Sequence, residues 1–211
     1  MYLWCGPMPD RSFVGMGYVI EKLLSEADPA VCAEHSFFDY HVQGLHYLNL
    51  VRTPQLTVKL YVFDHIKHNS RDYIVWPHNH RYSFGHYGLL GEVINHHLVE
   101  TPGARWQKYS YHADDNGRLE KTIKCDLFCA RQERVAPGEF YSLDPSQIHT
   151  LHVENEYAAA VLWQHTDAPN LLQTNMYAPV NEIADCSNAD LYRVPCPDEY
   201  RETLKTIRGQ L

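Results

Sequence analysis

The sequence predicts a mainly β protein, its short strands closing into a sandwich or barrel, with helices near both ends of the chain. Three observations lead there. From Leu56 to His165, runs rich in β-branched and aromatic residues recur between turn residues. No helix-period stretch separates those runs, which argues against an alternating α/β chain. The 211 residues, 45% apolar and 21% charged, suffice for one folded domain with a substantial core.

Residues Ser12 to Glu34 read as helix, with Phe13, Met16, Val19, Ile20, Leu23 and Leu24 at three- and four-residue steps. Asp28-Pro29 interrupts that stretch, because proline disfavours helix in the residue before it. A weaker helical stretch is expected from His41 through Leu45 to Leu48. Strands follow at Leu56–Asp64, Tyr73–Trp76, Tyr87–Val93, Trp106–His112, Lys121–Phe128, Glu139–Leu143, Thr150–Val153 and Ala158–His165. Turns are expected at His68–Ser70, Pro102-Gly103, Asp114–Gly117, Pro137-Gly138 and Asp167–Pro169, where residues tolerant of turn geometry cluster. After Asn170 the chain reads as irregular until Pro197, where Asp198-Glu199 and the apolar set Tyr200, Leu204 and Ile207 predict a short C-terminal helix. The expected layout is a helical segment over 1–50, a barrel over 51–170 and a tail over 171–211, together one domain.

A net charge of −8 with no lysine- or arginine-dense run disfavours a phosphate-backbone partner. No apolar run reaches the roughly 18 residues of a membrane span. Met1 to Arg11 lacks the basic lead and apolar length of a signal peptide, so a cytoplasmic protein is expected. The six cysteines, at 5, 32, 125, 129, 186 and 196, contain no C-x-x-C and are expected to be reduced. Fourteen histidines are a marked excess, and histidine is the commonest metal ligand.

The sharpest local feature is Trp76-Pro77-His78-Asn79-His80. On an extended chain, residues i and i+2 face one side, so both imidazoles can reach a common ion. Taken alone such a pair is weak, as His65/His68 and His96/His97 illustrate. Eleven residues after His80 comes Gly91, and eleven after Gly138 comes His149, past a strand and the turn Asp144-Pro145.

These two motifs, in this order within a β region, resemble those of the cupin superfamily over roughly Leu56 to His165. The resemblance implies a double-stranded β-helix, the cupin jelly-roll barrel, with His78, His80 and His149 as metal ligands. Many cupins add a glutamate ligand after the histidine pair; Phe84 occupies that position here. The pattern is thus closer to three-histidine cupins, such as thiol dioxygenases and the β-diketone-cleaving dioxygenase. His86, two residues from Phe84, is expected to face inward, either as a fourth ligand or as a buried, hydrogen-bonded histidine. His152 competes with His149 for the third ligand position, although the odd spacing puts the two on opposite faces of a strand.

Three imidazoles with open positions opposite suit a redox-capable ion, Fe(II) first, while zinc, nickel, copper and manganese compete for such a site. Arg81 and Arg131 are candidates for holding a substrate carboxylate, against the alternative of solvated surface charges. Tyr141 and Trp163, on strands flanking His149, are candidates for pocket lining, against ordinary core packing. The expected activity is a mononuclear non-haem iron oxygenase joining O₂ to a small organic substrate; the alternative is a non-catalytic metal- or metabolite-binding cupin. A homodimer is expected only from the general prevalence of symmetric pairs.

Overall fold

The computed structural model describes residues 13–65, 74–112, 118–166, 173–182 and 191–211. The chain runs α1 (Phe13–Glu26), α2 (Pro29–Cys32), a 3-10 turn (Ala33–His35), β1 (Leu45–Arg52), β2 (Leu56–Asp64), β3 (Phe84–Leu90), β4 (Val93–His112), β5 (Arg118–Val135), β6 (Phe140–Leu143), β7 (Ile148–Val153), β8 (Tyr157–His165), β9 (Gln173–Pro179) and α3 (Pro197–Arg208). All strand pairings are antiparallel. One sheet has the order β1-β2-β8-β3-β6 and the other β5-β4-β7, with β9 also paired to β4. Two antiparallel sheets rolled face to face are the jelly-roll architecture expected from the sequence.

Strands β1, β2, β3 and β8 of the five-stranded sheet are covered on both faces, and the edge strand β6 on one. Outward-pointing Leu48, Leu50, Val58, Leu60, Val62, Tyr87, Leu89 and Val161 pack under the helices, against Ile20, Leu24, Tyr200, Leu204 and Ile207. The opposite face contributes Leu45, Phe63 and Ala158 to one interior cluster and Phe84, Leu162, Leu143 and Tyr141 to another. Helix α3 begins at a capping box between Cys196 and Glu199, with the acidic first turn expected. It is fastened to β1 by the Tyr200 hydroxyl, which donates to the Asn49 carbonyl at 2.7 Å. At the other end of the chain, Asp28 caps α2 with Pro29 at its first position, so the predicted interruption is a helix boundary.

Four expectations fail. Of the strand expected at Tyr73–Trp76, the described part, Ile74–Trp76, is not strand. Leu45–Leu48 is not helix but the start of β1, paired with β2; its apolar residues lie on both faces because both are covered, which erases the strand alternation. Pro102-Gly103 is not a turn between strands but lies inside β4, where the register to β5 shifts between Thr101 and Trp106. The tail after Asn170 holds a strand, β9, paired with β4 from Trp106↔Pro179 to His112↔Gln173. Tyr73 and the turns expected at His68–Ser70, Asp114–Gly117 and Asp167–Pro169 lie outside the described residues.

Cys32, Cys125, Cys129 and Cys196 are free thiols, and among the described residues no helix is long and apolar enough to cross a membrane.

Candidate metal centre

Residues Ile74 to His80 form no regular strand, yet they are stitched into the second sheet. The Ile74 amide donates to Leu151 O, His80 to Pro145 O, and Tyr177 donates to Pro77 O. His78 and His149 are direct partners: each amide donates to the other's carbonyl, at 3.0 and 2.8 Å. Such mutual bonding places both side chains on one face of the ladder. His80, two residues on, returns to that face.

The result is a cluster in which one nitrogen from each of His78, His80 and His149 lies within 4.8 Å of the others. His80 Nε2 and His149 Nε2 are 2.8 Å apart. Two nitrogens bound at roughly 2.0–2.1 Å to one ion, at about a right angle, stand about 2.8–3.0 Å apart, so the spacing fits a shared metal. The far sides of two rings are also held: His78 Nδ1 donates to Trp76 O at 2.8 Å, and His149 Nδ1 to Asn95 Oδ1 at 2.8 Å. That leaves Nε2 of each ring with its lone pair, the arrangement metal-binding histidines adopt. Burial disfavours the charged form of all three rings, with His78 adding to the effect at His80 and His149. The residues present fit a divalent transition metal held by neutral imidazoles.

The other sequence candidates fall in different places. His152 is on β7 opposite Ile94, its ring 6.3 Å from that of His96 and outside the three-imidazole cluster; His149 is the ring brought to the pair. His86 is 1% exposed and stacks on Tyr141 at 4.8 Å, and it is not in the cluster either. Burial pushes its pKa down to about 3, and neither ring nitrogen has a hydrogen-bond partner among the described residues. Tyr141 faces the interior beside it. Trp163 points the other way, into the core beneath the helices with Tyr87, because it is one residue out of phase with inward-facing Leu162. Arg131 stands 61% exposed on β5, ion-paired to Glu133 at 2.5 Å. Arg81 is half-buried directly after His80.

Two residues passed over in the sequence matter here. Asn95 is fully buried and bridges His149 to His97, with Asn95 Nδ2 2.9 Å from His97 Nε2. Its signal was its phase: Asn95 and His97 share the inward face of β4 with partners on β7. The second is Lys59, which points into the roll from the middle of β2 with 8% exposure. Aromatic rings complete the interior wall, with Tyr82 and Phe84 4.9 and 5.0 Å from His80, and Tyr47 5.8 Å from Tyr61.

No known family profile and no curated protein sequence matches the chain. Solved structures similar to it include KdgF from Halomonas sp. (16% identity, TM-score 0.35, covering 58% of this chain and 81% of that one). A cupin superfamily protein from Desulfitobacterium hafniense is similar at 10% identity and TM-score 0.34, over 58% and 78% of the two chains. The DMSP lyase DddQ from Ruegeria pomeroyi is similar at 11% identity and TM-score 0.38, over 66% of this chain and 55% of the lyase. At these values the likeness adds nothing to what sheet order and histidine placement give. Those two features describe a mainly β roll of two antiparallel sheets, the cupin-type architecture its motifs resemble, with three imidazoles gathered inside.

Proposed function

We propose that this protein is a metal-dependent oxygenase of the cupin type, using His78, His80 and His149 to hold Fe(II) and joining O₂ to a small organic substrate. One observation carries the reading: three imidazoles, His149 buried and His78 and His80 half-buried, two of them oriented from behind, meet with no carboxylate in the set. A bound iron would supply a redox couple and Lewis acidity. The chain's own contributions are separate. Asn95 and the Trp76 carbonyl keep the ring tautomers that present Nε2. Tyr82 and Phe84 wall one side of the cluster with aromatic surface. The site is assembled on paired backbone, which holds ligand geometry more tightly than a free loop would.

Purification without oxygen and without added metal tests this. The reading expects one equivalent of iron per chain and oxygen uptake that begins only when substrate is added. Stoichiometric zinc with no oxygen consumption under any substrate would overturn it in favour of a binding or structural cupin, since three imidazoles also suit zinc.

A further inference from the structure

Across the five-stranded sheet, Asn49, Lys59, Leu162, His86 and Tyr141 are consecutive cross-strand partners. Antiparallel partners share a face, so these side chains form one row on the inner wall of the roll. Four of the five are polar. Asn49 Oδ1, both nitrogens of His86 and the Tyr141 hydroxyl have no hydrogen-bond partner among the described residues. Lys59, more than nine-tenths buried, has no carboxylate within ion-pair distance among those residues; its ammonium contacts only aromatic faces, 5.0 Å from the Tyr47 ring and 5.4 Å from the Tyr82 ring. Native interiors satisfy buried polar atoms and pair buried charges, and lysine is among the residues least tolerated inside without a partner. Four unpartnered polar atoms and a lysine without a carboxylate along one row mark the place of a polar occupant.

The row lies beside the imidazole cluster. The Tyr82 ring neighbours both, 5.4 Å from Lys59 Nζ and 4.9 Å from the His80 ring, so one aromatic side chain links the ammonium to the cluster. We propose that Lys59 anchors the carboxylate of a small organic acid held inside the roll, with the remainder of the acid directed toward His78, His80 and His149. Asn49, His86 and Tyr141 line the same wall and offer further hydrogen bonds to the acid. Arg131 does not take this role, being spent on Glu133 at the surface. Only the fate of the acid's other end rests on the metal-centre reading; the carboxylate site itself stands without it.

The test titrates acetate, propionate and benzoate, each beside its neutral amide, into metal-loaded and chelator-stripped protein, following heat release. At least one acid is expected to bind both forms about tenfold or more tightly than its amide, the charge-assisted contact being the difference. Lys59→Met, checked for a native circular dichroism spectrum, is expected to lose that preference while keeping its metal content. A folded Lys59→Met protein that still prefers the acid, or wild type that binds no acid better than its amide, overturns the proposal. Should Lys59→Met fail to fold, wild type with ¹⁵N-labelled lysines decides: the proposal requires the buried ammonium signal to shift on titration with acid, and an unmoved signal overturns it. Loss of metal on mutating His78 is read separately, so failure of the metal centre and failure of the carboxylate site are distinguishable.

Discussion

Asn95 accepts the Nδ1 proton of His149 at 2.8 Å, from a side chain with no exposure to solvent. The contact orients the ring contributed by the more distant stretch of sequence. Asn95→Leu is expected to weaken metal binding about 10–100-fold, the usual cost of removing the group behind a ligating histidine. Competition against a chelator of known affinity measures it. Asn95→Asp, which keeps the acceptor, is expected to restore most of the affinity.

His78→Ala and His149→Ala are each expected to lower metal content well below one equivalent, measured by elemental analysis of the purified variants. His152→Ala is expected to leave it unchanged, because that ring lies outside the cluster. An equal loss in all three variants would argue that the metal sits elsewhere.

Burial, with a smaller contribution from Arg52, brings the Lys59 ammonium down to about 8 from the ordinary 10.5. The groups around it are the rings of Tyr47 and Tyr82 and the neutral imidazoles of His80 and His41. Below pH 8 folded and unfolded chains both carry the proton, and the folded form bears its full burial cost. Between about 8 and 10.5 the unfolded chain holds more protons, so stability rises with pH, in total by about 3 kcal/mol at roughly 1.4 kcal/mol per pKa unit. Lys59→Met is therefore expected to be more stable than wild type at pH 7, with the gap closing by pH 10. Paired urea titrations at the two pH values check this.

Gly91 sits at φ +61°, and a Cβ there would stand 2.6 Å from the Tyr157 carbonyl oxygen. Both the backbone conformation and the contact exclude a side chain. Gly91→Ala is expected to destabilise the fold by about 2 kcal/mol or more, read from the denaturation midpoint. The glycine of the first motif thus serves the β3–β4 turn and does not touch the imidazoles.

Much of this was legible in the sequence where one side of an element faces the core. β2 falls on Leu56–Asp64 as expected, and α3 buries Tyr200, Leu204 and Ile207 on the expected stripe. His149 was favoured over His152 by its spacing from Gly138, and His149 is the ring in the three-imidazole cluster. Lys59 was missed for a physical reason. In Leu56–Asp64 the more polar phase, Thr57-Lys59-Tyr61, reads as the solvent face, whereas helices cover the apolar phase and the polar one turns inward. Strand β1 was missed because two covered faces leave no alternation. β9 was missed because Gln173-Thr174-Asn175 is polar and Met176-Tyr177-Ala178 follows unbroken, so no alternation marks it, and its ladder to β4 joins residues far apart in sequence.

Because His78 reaches its place by exchanging backbone bonds with His149, the centre depends on alignment as much as on chemistry. Sliding the 74–80 segment by a single position would rotate both of its imidazoles to the wrong side of the sheet. A one-residue deletion in the connection from Arg81 to Ser83 should then abolish ion capture in a chain that still contains every histidine.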